Sequence, residues 1–191
     1  MPMRSCGRSK AWIRAATPDL ARAIGRSVPH QPLLPLTGRF WRMLGVRWQR
    51  RPYDSGSHLT GGRWNPVGTP ALYLSADYNT AIQEMHQDLV RPGTLVAFDV
   101  AADSIADLGD ADPAITLALW RQIYMIDRKT PPSWALASKL IAEEAQGALV
   151  PSAQHRGGRN LVLWRWHDAA AAGEGARLSL LDPERALTGR D

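Results

Sequence analysis

The most informative stretch of this chain is HLTGGRWNPVGTPALYLSADYNTAIQEMHQ, which runs from His58 to Gln87. It contains a Gly-Gly turn, an Arg-Trp-Asn run, a loop rich in Pro and Gly, a short apolar segment with a Tyr, and a helical pattern that carries Glu84. A core alone does not need so many special residues, and binding residues are often held on loops between regular elements. We therefore predict that this stretch forms one wall of an active site.

The totals indicate one soluble domain with appended ends. A chain of 191 residues with 45% hydrophobic residues is long enough to bury a core without disulfides or metals. The single Cys6 cannot form an internal disulfide, which is typical of a reducing compartment. Neither a bilayer-spanning apolar run nor a secretory signal is recognisable, so we expect a cytoplasmic protein that does not enter the membrane.

The net charge of +5 is carried mainly by arginine, with much of the excess between Arg39 and Arg63 and in the N-terminal tail. Three kinds of partner fit this charge: a nucleic acid, an anionic small molecule, or an acidic protein. No helix-turn-helix, zinc-finger or RNP signature is present, so we rank nucleic acid third. Four tryptophans lie in Arg-rich segments and could stack on a base or pack in the core: Trp41, Trp48, Trp64 and Trp166.

The N-terminal half predicts two helices and two strands. Thr17 followed by Pro predicts a helix from Pro18 to about Arg26, then an extended link over Pro29–Pro35. The remaining expected elements are a strand over Phe40–Leu44, a long functional loop over Gly45–Pro70, a strand over Ala71–Ser75, and a helix capped by Asp77 or Asn79 that ends near Val90. The core face of that helix is expected to carry Ile82, Met85 and Leu89, with Glu84 on its flank toward Ala81.

The C-terminal half alternates short strands and helices without regular βαβ spacing, which favours a mixed α+β domain. Expected strands cover Thr94–Val100, Ala148–Val150, Asn160–Trp166 and Arg177–Leu181. One helix should begin at Asp112-Pro113, with Leu117, Trp120, Ile123 and Tyr124 on one face; another should run from Trp134 to Gln146 with Ser133 as its cap.

Few groups are available for chemistry. The five histidines show no metal-ligand spacing, and neither a GxSxG elbow nor a P-loop is present. Paired arginines beside a loop suit a pyrophosphate, and a nearby carboxylate suits a sugar whose anomeric carbon becomes cationic as a leaving group departs. Arg63 and Glu84 fit these roles, although each residue, like Tyr73 and Ser152, also has an ordinary structural explanation when taken singly.

Together these residues resemble the signature of the RES domain, the toxin half of RES–Xre toxin–antitoxin modules. The resemblance runs from about Phe40 to Trp166. The matching residues are Arg42, Gly61-Gly62-Arg63-Trp64-Asn65, Gly68-Thr69-Pro70, Tyr73-Leu74-Ser75, Ala81-Ile82-Gln83-Glu84, Pro151-Ser152 and Asn160.

The resemblance implies a fold similar to ADP-ribosyltransferases: a small split β core with flanking helices around an NAD cleft. We expect an N-terminal extension with a helix over residues 1–36, outside the resemblance, and a single RES-type catalytic domain over residues 37–191. Members of the family cleave the bond between nicotinamide and ribose, so NAD+ is expected as substrate, without a metal. The acceptor of ADP-ribose is expected to be a protein side chain, with water or phosphate as alternatives.

The resemblance also implies site roles. The catalytic residues would be Glu84, Arg42 and Tyr73, with Glu84 as the carboxylate and Tyr73 stacked on the nicotinamide. The substrate-binding residues would be Arg63, Ser152, Asn160, Trp64 and Asn65. The roles of Arg63 and Glu84 also follow from the chemistry of the residues, independently of the resemblance. The roles of Tyr73 and Ser152 depend on the resemblance alone.

An implied partner is an Xre-type antitoxin that occludes the cleft and contacts Arg42 or Arg63 through an acidic end, so that DNA would be reached only through the antitoxin. The loop from Gln154 to Arg159 is short and basic, unlike that of many family members, and could favour an anionic acceptor or a larger target. Two non-enzymatic alternatives stay open: a basic nucleic-acid-binding module and a partner domain whose long loop is an interface.

Overall fold

The protein is represented by a computed structural model that describes residues 31–86, 91–187 and 189. The predicted helix over Pro18–Arg26 lies outside the described residues, as do Leu89 and Val90 of the helix that follows the first signature strand. Across the described ranges, every helix is too short or too polar to cross a membrane.

The described chain is a mixed α+β domain, as predicted. Its strands are β1 Leu33–Gly45, β2 Leu72–Ser75, β3 Gly93–Asp107, β4 Gly147–Pro151, β5 Arg159–Leu163, β6 Trp166–Asp168 and β7 Ala176–Leu180. Its helices are α1 Ser57–Thr60, α2 Tyr78–His86, α3 Pro113–Thr116, α4 Trp120–Met125 and α5 Pro132–Ala142, with a 3-10 turn at Val46–Trp48.

The sheet closes on itself. The strand order is β1-β2-β5-β4-β3-β7-β6, and β3 also pairs with β1, so five strands form a ring with β7 and β6 beside it. The β3–β4 and β6–β7 pairs are parallel and the others antiparallel. In the register, β1 meets β2 only where Trp41 lies opposite Ser75. The ring therefore has one weak junction, between β1 and β2.

The first strand is longer than the sequence suggested. It begins at Leu33, which lies opposite Ala106 of β3. The expected boundary between residues 36 and 37 thus falls inside a strand, and the end of the expected Pro-rich link belongs to the sheet. Proline is tolerated there because Pro35 lies at an irregularity in the pairing, between Leu34 and Leu36.

Two apolar clusters follow from the alternation of side chains along the strands. In β2, Leu72 and Leu74 pack into one cluster with Phe98, whereas Tyr73 packs against the other, on the opposite face. The cluster against which Tyr73 packs is covered by α5 through Leu136 and Leu140. The strand through the signature stretch is therefore buried on both faces.

Several details of the helices differ from the predictions. The buried residues of α2 are Thr80 and Ala81, while Ile82 and Met85 are only partly buried, so the predicted core face was wrong. A helix of this length with few large apolar residues carries little periodicity, and tertiary contacts decide its orientation. The consequence is that the flank carrying Glu84 faces the protein.

The segment after Asp112 is also different. It divides into α3 and α4, and its buried residues are Ile115 and Thr116, whereas Leu117 is exposed. Ser133 does not cap α5; it donates a hydrogen bond to the Arg63 carbonyl at 2.6 Å instead. The last strong strand divides into β5 and β6, because the chain bends after Leu163.

Candidate active site

A cavity of about 480 Å³ lies beside the weak β1–β2 junction. It is bordered by β1, the Gly-Gly turn, β2, α2, α4 and the loop between β4 and β5. The polar and aromatic residues that line it include Trp41, Arg42, Arg63, Tyr73, Glu84, Trp120, Arg121 and Asn160. Five of the eight predicted site residues therefore line one cavity, although they are spread over almost 120 positions of sequence: Arg42, Arg63, Tyr73, Glu84 and Asn160.

Two neutral donors from the described part of the chain hold Glu84. Its Oε1 accepts a hydrogen bond from Ser152 Oγ at 2.6 Å and another from Asn160 Nδ2 at 2.6 Å. Asn160 Oδ1 in turn accepts from Ser75 Oγ at 2.8 Å, which fixes the orientation of the amide. These bonds join α2, β2, β5 and the loop after β4, and they hold the carboxylate at the cavity wall.

Ser152 is fully occupied by this arrangement. Its hydroxyl donates to Glu84 and accepts from the backbone N–H groups of Gln154, at 3.2 Å, and His155, at 2.9 Å. The Ser152 N–H donates to the Gly158 carbonyl at 2.8 Å, which closes the loop. Ser152 does not itself line the cavity, so its observed contact is with the carboxylate.

A second set of bonds joins the same loop to the start of α2; we call Asp77, Thr80 and His155 the Thr80 network. Asp77 caps the helix, accepting from the Thr80 N–H at 2.8 Å and from Thr80 Oγ1 at 2.6 Å. Since Thr80 has one hydroxyl hydrogen, His155 Nδ1, at 2.7 Å from Thr80 Oγ1, must carry a proton and donate it. Partial burial opposes ionisation of Asp77, but the bonds from Thr80 outweigh it and lower its pKa.

Two cations lie in the wall. Arg42 Nη1 donates to the Pro52 carbonyl at 2.7 Å, and Arg63 Nη1 donates to the Ala118 carbonyl at 2.5 Å. Burial lowers the pKa of Arg42 to about 10, against the opposing effect of the Asp54 carboxylate. Burial also lowers the pKa of Arg63. Both guanidinium groups are still charged at neutral pH, and their partial burial costs free energy because charged groups lose hydration there. An anionic ligand in the cavity would offset this cost.

Tyr73 presents its ring to the cavity while its hydroxyl is used inside the wall. The hydroxyl donates to Asn65 Oδ1 at 2.7 Å and accepts from the Trp64 N–H at 3.0 Å. Burial raises the pKa of Tyr73, so the group stays protonated. A Cβ on Gly62 would lie 2.5 Å from both the Tyr73 hydroxyl and Asn65 Oδ1, which explains the glycine at this position.

Two predicted substrate-binding residues lie behind the cavity wall. Asn65 is fully buried, and its Nδ2 donates to the carbonyls of Ser57, at 3.1 Å, and Thr69, at 2.8 Å. Trp64 is 1% exposed, and its carbonyl accepts from Trp164 Nε1 at 3.0 Å. Neither lines the cavity, so in this structure both shape the turn that carries Arg63.

Sequence reasoning missed Trp120 and Arg121, which line the cavity from α4. The Arg121 guanidinium lies 5.0 Å from the Trp120 ring centroid. The Trp120-Arg121 pair repeats the Trp41-Arg42 pattern, a signal that could have marked it. The helical pattern of the sequence instead predicts Trp120 on the apolar face of a longer helix and does not single out Arg121.

The four tryptophans considered for base stacking do not form a common surface. Trp41 lines the cavity, Trp48 packs against the core, Trp64 is buried, and Trp166 Nε1 donates to the Tyr53 carbonyl at 2.9 Å. Across the described ranges, no group of three His, Cys, Asp or Glu side chains is placed to hold a metal ion.

The fold and the cavity define a mixed α+β protein with a basic site built around one carboxylate. The model of the RES domain matches residues 39–183, and the chain belongs to the RES domain family. A chain from the "Crystal structure of the M.tuberculosis MbcT-MbcA toxin-antitoxin complex" is similar in structure, with a TM-score of 0.49 and 18% sequence identity. The match covers 76% of this chain and 81% of that chain. No curated protein matches the sequence.

Proposed function

We propose that the cavity is the active site of a toxin that consumes NAD+, cleaving the nicotinamide–ribose bond and transferring ADP-ribose to an acceptor. The observation that carries this proposal is the Glu84 carboxylate, oriented by Ser152 and Asn160 in the same cavity as Arg42 and Arg63. One fixed carboxylate beside two half-buried cations suits a ligand that develops positive charge at one end and carries negative charge at the other.

The reaction breaks the bond between ribose C1′ and the nicotinamide nitrogen. The bonding electrons go to that nitrogen, so nicotinamide leaves as a neutral molecule and the ribose becomes an oxocarbenium ion. Glu84 stabilises this cation, and its two donors hold the carboxylate in place before the charge develops. The acceptor then bonds to C1′ and loses its proton.

The remaining roles follow from charge and shape. Arg42 and Arg63 bind the pyrophosphate through paired N–H groups. Tyr73 contributes the face of its ring to the nicotinamide, because its hydroxyl is already bonded within the wall. Trp64 and Asn65 act through the turn that positions Arg63, and Asn160 and Ser152 act through Glu84.

We further propose that the fold is related to that of ADP-ribosyltransferases, with the cavity as the NAD cleft. The weak β1–β2 junction beside the cavity supports a split core. The acceptor is a protein side chain in this proposal, and water or phosphate is the alternative.

A toxin of this kind needs an inhibitor in the cytoplasm. We propose an Xre-type antitoxin that occludes the cavity and meets Arg42 or Arg63 with a carboxylate. The excess of positive charge that lines the cavity supports this choice of partner chemistry, and membership of the RES domain family supports the module. DNA would be bound by the antitoxin rather than by this chain.

Nicotinamide release from NAD+ by the purified protein tests the activity. Glu84→Gln keeps the size of the side chain and removes its charge, so release should fall by about 100-fold or more. Glu143→Gln is the matched control, because Glu143 lies at the exposed end of α5. Unchanged release by Glu84→Gln contradicts the role of Glu84, and absence of release by the wild type contradicts the activity.

Mass spectrometry of the products, with and without cell lysate, identifies the acceptor. Free ADP-ribose indicates water, phosphorylated ADP-ribose indicates phosphate, and a modified protein indicates ADP-ribosylation.

A further inference from the structure

A third arginine of the cavity differs from the other two. Arg42 and Arg63 are half-buried and donate to backbone carbonyls, whereas Arg121 is exposed and stacks on Trp120, 5.0 Å from its ring centroid. Within the described part of the chain, Arg121 forms no ion pair with a carboxylate. Burial is the largest effect that lowers the pKa of Arg63; the Glu84 carboxylate and Tyr73 raise this pKa, and the nearby charge of Arg121 lowers it.

The helix that carries Arg121 is attached to the turn that carries Arg63. The Ala118 carbonyl, just before α4, accepts the hydrogen bond from Arg63 Nη1. The rings of Trp120 and Tyr124 pack on Trp134, with centroids 5.9 Å and 4.6 Å away, and Trp134 Nε1 donates to the Gly62 carbonyl at 2.7 Å. The two guanidinium groups therefore keep a defined relative position at the cavity.

The neighbouring cations Arg63 and Arg121 repel each other, and an anion between them removes that repulsion. Stacking on an indole keeps a guanidinium plane oriented without consuming its N–H groups, which leaves them available for a bidentate contact. A diphosphate offers more than one charged oxygen pair, so it can be shared by several arginines, whereas a single carboxylate cannot satisfy them all.

We propose that Arg121 is a third phosphate-binding residue of the site, which acts with Arg63 on the pyrophosphate of the dinucleotide while Trp120 orients its guanidinium. This inference rests on the proposed function, and it adds a specificity-determining residue that selects phosphorylated nicotinamide substrates. Arg121 contributes to binding and leaves the bond-breaking step to Glu84.

A series of substrates that differ in phosphate content tests this role. Nicotinamide release is measured with NAD+, nicotinamide mononucleotide and nicotinamide riboside. Arg121→Gln should raise KM about tenfold or more for the two phosphorylated substrates, with little change in kcat and none in KM for the riboside. Equal effects on all three substrates, or no effect on NAD+, overturn the proposal.

Arg47→Gln is the matched control. Arg47 also stacks on a neighbouring tryptophan, 5.3 Å from the Trp48 centroid, but it does not line the cavity. This variant should behave as the wild type with every substrate.

Binding of inorganic pyrophosphate, measured by calorimetry, is independent of turnover. Arg121→Gln should weaken it about tenfold relative to the wild type and to Arg47→Gln, and unchanged binding overturns the proposal. If the wild type releases no nicotinamide but pyrophosphate binding still depends on Arg121, the proposed activity fails and the phosphate site stands.

Discussion

Two segments of the chain share a pattern and differ in use: Gly61-Gly62-Arg63-Trp64-Asn65 and Gly157-Gly158-Arg159-Asn160. In each, the first glycine has a positive φ, 75° in Gly61 and 80° in Gly157. In each, the second glycine leaves room for a hydroxyl. A Cβ on Gly62 would lie 2.5 Å from the Tyr73 hydroxyl, and one on Gly158 would lie 2.5 Å from Thr80 Oγ1.

The residues after the glycines are used in opposite ways. In the first segment Arg63 lines the cavity and Asn65 is buried in the wall. In the second, Asn160 contacts Glu84, and Arg159 points away and pairs with Asp107. Arg159 and Asn160 are consecutive residues of β5, so their side chains must face opposite sides of the sheet. The first segment is a turn, which lacks this alternation. The backbone context, and not the residue types, therefore decides which side chain faces the cavity.

The largest expected effects are those of replacing Asn65 and Asn160, which should differ in whether stability or activity is lost. Asn65→Ala removes the side-chain donor to the Ser57 and Thr69 carbonyls and the acceptor of the Tyr73 hydroxyl hydrogen, so the free energy of unfolding should fall by about 3 kcal/mol. Asn160→Ala should lower stability less but reduce nicotinamide release about 100-fold, because Glu84 loses a donor. Denaturant unfolding and kinetic assays on both variants measure this. If the two variants lost stability and nicotinamide release to the same extent, Asn65 and Asn160 would not have the separate structural and active-site roles assigned to them.

A smaller effect is expected from the hydroxyl that approaches Gly158. Thr80→Val keeps the shape of a fully buried side chain but breaks the bonds to Asp77 and His155, which hold the Ser152 loop. We expect kcat to fall about tenfold, since a small displacement of the loop misorients Glu84. Thr80→Ser retains the hydroxyl and should recover most of the rate. If Thr80→Val and Thr80→Ser have equal rates, the hydroxyl does not position the loop.

The smallest effect concerns Arg159. Burial opposes ionisation of Asp107, but hydrogen bonds from Arg159 and the Gly109 N–H outweigh it, so the pKa of Asp107 lies below its usual range. The pair therefore stabilises the fold above the unfolded pKa of Asp, about 3.9, and this contribution is lost as pH falls through the folded pKa. For a solvent-exposed pair, Arg159→Gln should cost less than about 1 kcal/mol at pH 7, and the cost should disappear as pH falls below the folded pKa of Asp107.

Catalytic activity should not change in Arg159→Gln. Unfolding curves across pH and a nicotinamide assay check both statements. A loss of activity similar to that expected at the cavity arginines would show that the second segment also contacts the ligand through its arginine.

Much of the fold was predictable because its signals are local. The strand over Ala71–Ser75 and the helix after Asp77 follow from alternation and capping, and both are present as β2 and α2. The orientation of α2 was not predictable, because its few apolar residues favoured Ile82 and Met85 over the face that carries Ala81. Only packing against the sheet settles such a weak preference.

The candidate site likewise has features that the sequence predicted and features that depend on tertiary contacts. Charge and a glycine-permitted turn are local properties, so the residue types were sufficient to nominate Arg63 and Glu84, whereas Arg42 and Tyr73 were nominated through the resemblance to the RES domain. Sequence could not show that Asn65 supports the wall while Asn160 holds the carboxylate. Hydrogen bonds between residues as far apart as Glu84 and Asn160, and the ring closure that brings β1 beside β2, depend on contacts across the fold. Such contacts leave no periodic trace in the sequence, which is why Arg121 and the Thr80 network emerged only once the chain was folded.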